Sequence, residues 1–303
     1  MGYVGTKVTQ NIVSTSEITD GTITNDDLAS DIAITTTGDT SLKGNVTINE
    51  DSADKDFRVE SNDHANMLFV DGGNNKVGVG TASPDGALHI KGVSDHGRLV
   101  LESGGTSGSN NGTFMQFHNH GGTEIAQIAV DEGASNEGQM LFKTGGTTTA
   151  MTIDKDGHIT KPLQSAFLAV PSSTVTNISK DGTNTIAFGT EVFDQNGDFA
   201  TPNFTAPVTG RYQLSLMVYL YQIQNDADYY FTKIVTSNRS YMSIIDPEGW
   251  ASANYHGFNS SILADMDAGD TAYGQVYQAG GTNTQTDIIH DSGGTYFSGY
   301  LVA

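Results

Sequence analysis

The sequence predicts an all-β protein: an extended, trimeric β-rich shaft followed by a compact head. Three observations predict it. Apolar residues alternate at period two between turn clusters almost throughout, which is the strand pattern. Hydrophobic residues make up only 36% of 303 positions while glycine takes 36, enough apolar material for one ordinary core plus a thinly packed remainder. The texture changes at Pro162, beyond which the strands lengthen and become aromatic.

Residues 1–40 are polar and threonine-rich with no long apolar run, so they are expected to order on a partner or on copies of themselves. The one helical candidate is Thr24 to Ile32, with Asn25 as cap ahead of Asp26 and Asp27. Residues 41–162 read as a string of short strands. Asn45 to Asn49 alternates. Met67 to Val70, an Asp/Gly/Asn turn and Lys76 to Gly80 make a hairpin, and the same grammar returns around Asp154 to Gly157. Between them lie Arg98 to Glu102, Phe114 to Phe117, Ile125 to Val130 and Met140 to Phe142, joined by turn-forming stretches such as residues 103–112. One copy would leave these small apolar faces wet, whereas three copies around an axis bury them. Residues 163–303 form the head. Its strongest strand is Arg211 to Tyr221, with Tyr212, Leu214, Leu216, Val218 and Leu220 on a core face and Gln213, Ser215, Met217, Tyr219 and Tyr221 on a semi-polar, aromatic face suited to a second subunit.

Charge and composition narrow the functional classes. Lys and Arg total 14 against 35 Asp and Glu, a net charge of −21 that opposes binding to nucleic acid or to anionic membrane. No run of 18 apolar residues and no secretory h-region is visible, so no membrane insertion is expected. Cysteine is absent, which removes disulfides, thiolate metal sites and cysteine nucleophiles. Stability is then expected from oligomerisation.

Two resemblances sharpen this reading. In the head, Ser165 to Ala169 opens a strand. Phe188, Phe193, Phe199 and Phe204 lead into Ala206-Pro207-Val208-Thr209-Gly210-Arg211-Tyr212, where Pro207 ends one strand and Gly210 permits the turn into the next. Ile262 to Ala272 and the terminal Thr295 to Val302 complete the pattern. On these stretches residues 164–303 resemble the globular head shared by the complement first-component subunit and the tumour-necrosis-factor cytokines. The resemblance implies a ten-stranded jelly roll that trimerises through a flat aromatic and aliphatic face, with the chain end near the axis. In the shaft, Phe57 to Glu60, Leu68 to Asp71, Asn75 to Thr81, Ser83-Pro84 and Ala87 to Ile90 resemble a module of phage tail fibres and related virion appendages. Met151 to Pro162 resembles the segment that closes such shafts, and Glu17 to Asn25 resembles fibre segments near the attachment end.

The candidate site residues follow. Trp250, the only tryptophan, and Tyr229, Tyr230, Tyr241 and Tyr255 are receptor-binding candidates, because exposed aromatics beside Asp and Asn stack on sugar rings. The bland alternative for Trp250 is packing inside the head. Asp226 and Asp228 are calcium candidates needing further oxygen donors, the plainer reading being solvated loop charges. His118 and His120 would share a strand face and form a metal pair lacking a third ligand nearby in sequence, completed only if three copies bring six imidazoles to an axis; a solvent-facing or axis-lining pair is the plainer reading. No convergent catalytic set, dinucleotide loop or nucleophile elbow is visible, so neither an enzyme nor a cofactor is expected.

The reading is a non-enzymatic component of a phage virion, a tail fibre or similar appendage. Its expected partners are two further copies of itself, other virion proteins through residues 1–40, and a host-surface glycan or protein. Assembly is expected in the host cytoplasm. The alternatives are a head, collar or tail decoration without receptor role, and a capsule-degrading fibre.

Overall fold

The structure, a computed structural model, describes residues 37, 39, 41, 44–48, 54–92, 97–102, 112–131, 138–250, 254–290 and 293–303. The candidate helix Thr24 to Ile32 lies outside them. Every regular element among the described residues is a strand. The chain divides into two compact units, Met1–Leu99 and Val100–Ala303.

The first unit holds a four-stranded sheet of β1 (Phe57–Val59), β2 (Leu68–Asp71), β3 (Lys76–Val79) and β4 (Leu88–Ile90), in that order. The predicted hairpin is present as β2 and β3, paired from Asp71↔Lys76 to Phe69↔Gly78. Its turn is fastened by Asp71, whose Oδ1 accepts from the backbone N of Asn74 at 2.8 Å, and by Asn75 at φ 56°. β4 returns parallel to β3. Two expected strands are not formed. Among the described residues Asn45 to Ile48 (Asn49, the last of that candidate, lies outside them) and Arg98 to Glu102 have no ladder partner, and Val46, Ile48, Leu99, Val100 and Leu101 stand exposed. Alternation there meets no paired edge among the described residues, and a lone strand gains too little to order itself.

The second unit begins with a five-stranded antiparallel meander: β5 (Gly112–His118), β6 (Glu124–Asp131), β7 (Gln139–Thr144), β8 (Thr148–Ile153) and β9 (Ile159–Thr160). Directly paired residues project to one face. The register aligns Met115, Ile128, Phe142 and Met151 in one row, and Val130, Met140, Ile153 and Ile159 in the next. The opposite face carries Gln116, Gln127, Lys143 and Thr152 with Phe114, Ala129 and Leu141. The apolar face is open: Met115 is 46%, Val130 39% and Ile159 59% exposed.

The head follows as a two-sheet sandwich. One sheet runs β12 (Thr190–Asp194), β10 (Ala166–Val170), β21 (Tyr296–Leu301), β15 (Gly210–Tyr221), β18 (Tyr255–Met266), with β20 (Asp287–Ile288) also on β15. The other runs β13 (Phe199–Ala200), β14 (Asn203–Thr205), β19 (Thr271–Gly280), β16 (Ala227–Thr236), β17 (Ser240–Ile245), with β11 (Thr183–Thr185) also on β19. Apart from the two-residue β13 and β20, ten strands remain, as expected of the jelly roll. The alternation along β15 holds: Tyr212, Leu214, Leu216, Val218 and Leu220 are fully buried. Phe167 stacks on Phe199 and Phe204 at 5.0 and 4.7 Å and meets Phe297 edge-on, so the aromatic run before Ala206 supplies the core. Phe193 is the exception, half exposed on the outer face.

The turn before β15 differs from its expected cause. Gly210 has no left-handed φ. A Cβ there would lie 2.6 Å from the carbonyl O of Ala303 and 2.8 Å from Leu301 Cδ1, so glycine is present because the chain end crosses it. The turn itself is held by Tyr212, whose hydroxyl donates to the carbonyl of Val208 at 2.7 Å.

Candidate functional site

β15 is 12 residues long, about 36 Å at strand rise. Its Gly210 end lies beside the chain end and β10, because Arg211 N donates to Ala303 O and Leu301 N to Ser165 O. Its Tyr221 end is therefore the end away from the meander's connection at residues 161–165. The pairings Tyr221↔Tyr255, Ala227↔Gly280 and Leu220↔Ile288 gather the β15–β16, β17–β18 and β19–β20 connections at this apex.

The sequence candidates fall here, but they do not converge. Tyr230 is a correction: it is 1% exposed and unavailable to a receptor. Its side chain alternates inward on β16. Its hydroxyl accepts from Gln224 N and bonds Thr286 Oγ1, each at 2.8 Å, and burial pushes the phenol pKa up. Tyr241 pairs with the buried Ile234 and packs against the core. Trp250 is half-buried, stacked on His256 at 4.6 Å and packed on Phe258, closer to the bland reading than to a free platform. Tyr229 and Tyr255 are the exposed ones, and they sit on opposite sheets. Tyr255 stacks on Tyr221 at 4.5 Å and Tyr219 at 5.2 Å. Tyr229 stacks on Tyr277, which lies parallel to Phe231 at 4.8 Å, with Lys233 Nζ over the Phe231 ring.

The metal candidates separate as well. His118 ends β5 and its Nδ1 bonds Gly122 O at 2.9 Å, while His120 lies in the turn, so they do not share a strand face. Among the described residues the one group of three ligating side chains is Asp154, Asp156 and His158, all exposed. It is an Asx turn in which Asp154 accepts from the backbone of Asp156 and His158. Asp226 and Asp228 belong to no such group. Asp228 approaches Gly280 on the strand, while Asp226 faces a cleft.

That cleft is the feature the sequence reading missed. It encloses about 420 Å³ between Gln222, Gln224, Asn225 and Asp226 on one side and Thr282, Asn283 and Gln285 on the other. Asp226 Oδ2 accepts from the backbone N of Thr282 at 2.9 Å and from its hydroxyl, and this hydrogen bonding holds the carboxyl below its ordinary pKa. Asn225 Nδ2 donates to Trp250 O at 3.3 Å, tying the third connection to the rim. A buried polar chain ties the two connections together: Tyr230 hydroxyl, Thr286 Oγ1, then Gln278 Oε1 at 3.1 Å, with Gln278 Nε2 donating to Asn283 O at 3.0 Å. The only advance signal was two amide- and hydroxyl-rich turns, residues 222–226 and 282–286.

Residues 166–302 match the C1q domain family. No curated protein matches the chain. Solved structures that align with it include the globular domain of zebrafish complement 1qA protein, at 14% identity and TM-score 0.35 over 46% of this chain and 98% of that one. Murine APRIL aligns at 14% identity and TM-score 0.35 over 46% and 99%.

Proposed function

We propose that the chain is a non-enzymatic structural component of a bacteriophage virion, a tail fibre or similar appendage, whose C-terminal head forms a homotrimer and binds a host-surface glycan or protein. The C1q match over residues 166–302 supports the head assignment, since domains of this kind are typically trimeric, ligand-binding and non-enzymatic. The observation that carries the assembly is the open apolar face of the meander. A single sheet with Met115, Ile128, Val130, Met140 and Ile159 between 37% and 59% exposed is a poor monomer surface and a good self-association one. The order of shaft segments, a fibre-like module, a closing segment and then the head, supports the virion appendage. In that arrangement residues 1–40 hold other virion proteins, residues 41–162 space the head from the particle, and three heads add avidity to a weak site.

Light scattering on the full chain tests the assembly: the expected mass is three times 32.0 kDa. Adsorption of particles lacking this gene product tests the role, with loss of host binding expected. A monodisperse monomer, or unchanged adsorption, overturns the corresponding half of the reading.

A further inference from the structure

We propose that the apical cleft between the β15–β16 and β19–β20 connections is a saccharide site that grips the vicinal hydroxyls of one neutral pyranose unit. The proposal rests on reading the head as a ligand-binding module, and it names the place and the chemical class.

The lining carries the argument. Every side chain bordering the cleft is polar: the amides of Gln222, Gln224, Asn225, Asn283 and Gln285, the carboxylate of Asp226 and the hydroxyl of Thr282. A side-chain amide presents a donor and an acceptor together, and a sugar hydroxyl does the same, so the two chemistries match group for group. These groups are also free to act. The side-chain amides of Gln222, Asn283 and Gln285 make no hydrogen bond to protein among the described residues, and Asp226 engages Thr282 through Oδ2. The volume, about 420 Å³, falls in the range of roughly 300–1,000 Å³ typical of small-ligand clefts.

The walls are pre-organised. Among the described residues four non-glycine residues have positive φ; Asn75, Asn177 and Asp181 are of the types that tolerate it, and the fourth is Gln222 at 54°. Its carbonyl accepts from Gln224 Nε2 at 3.0 Å and lies 3.2 Å from Thr286 Oγ1, whose single proton it shares with Gln278 Oε1. A residue held in a costly conformation by a buried network is the pattern of a site fixed before its ligand arrives.

The same lining disfavours other occupants. No aromatic or aliphatic side chain borders the cleft to anchor a peptide or lipid, and no Lys or Arg is in its lining to pair with a uronate, sialate or phosphate; Lys180, whose charge reaches Asp226, is held on Gly281 O at 2.8 Å. One carboxylate is thin compensation for a divalent cation.

Saturation-transfer NMR on the full chain provides the test, with methyl glycosides of glucose, galactose, mannose, N-acetylglucosamine and rhamnose, beside sialic and glucuronic acids, with and without EDTA. At least one neutral glycoside is expected to bind, with Kd of about 1–10 mM for a single site. The Asn283→Ala/Gln285→Ala variant is expected to weaken it about 10-fold or more, with circular dichroism and mass unchanged. Lys233→Ala is expected to leave it intact. Binding of acidic sugars alone, binding lost in EDTA, binding that survives the double variant, or no binding at all overturns the site. A trimer that binds no glycoside leaves the proposed function standing without this cleft. A monomer that binds through Asn283 and Gln285 keeps the cleft and overturns the trimer.

Discussion

Gly210 and Tyr212 show how single residues hold the head together. Gly210→Ala would push a methyl group to 2.6 Å from the Ala303 carbonyl, so the chain end must shift and the terminal strand loosen. The expected cost is about 1–3 kcal/mol, read as a lower denaturation midpoint. Tyr212→Phe keeps the buried ring but strips the hydrogen bond to Val208, with an expected loss of about 1–2 kcal/mol. A midpoint equal to wild type for either variant would contradict the role given to that residue. Asp226 offers a pH test. The Thr282 hydroxyl lowers its pKa, so its charged, hydrogen-bonded state is complete above the ordinary carboxylate range and is lost only as pH falls through the lowered value. Glycoside binding should therefore stay flat from neutral pH into the ordinary carboxylate range and decline below it. Thr282→Val should move that decline to higher pH, which carboxyl NMR titration reads directly.

At the scale of elements, the meander and the β15 sheet of the head share a feature: each alternates between an apolar face and a more polar one. In the head the core face is already satisfied by the second sheet. In the meander the apolar rows of Met115, Ile128, Phe142 and Met151 and of Val130, Met140 and Ile153 have no second layer among the described residues. Adjacent residues of β6 separate the two faces. Ile128→Asp should reduce the assembled mass or drive aggregation, while Gln127→Asp, one residue away on the other face, should leave the mass unchanged. If both variants assemble like wild type, the apolar face is not the contact. Asn45 to Ile48 and Arg98 to Glu102, which join no ladder among the described residues, make the complementary point: alternation specifies a face, and a strand forms only where an edge is available to receive it.

For the whole molecule, association is the main expected source of stability, because the apolar content supports one core and no cysteine cross-links the rest. The denaturation midpoint should then rise with protein concentration across about a 100-fold range. An unchanged midpoint would mean that each chain is stabilised alone. In the proposed trimer the net charge of −21 per chain would set three acidic surfaces side by side, so added salt should favour the assembly.

The all-β class, the β2–β3 hairpin, the core face of β15 and the aromatic run feeding the core were legible in the sequence, since each depends on neighbours two to a dozen residues apart. The candidate site was barely legible. Tyr229, Tyr230 and Tyr255 look alike in a sequence, and only the fold decides that one is core and the others face opposite ways. The cleft was hidden for the same reason: Asp226 and Thr282 are 56 residues apart, brought together by the pairing of β16 with β19. Local alternation is written in the side chains themselves, whereas convergence of polar groups is a product of strand register, which no short stretch of chain contains.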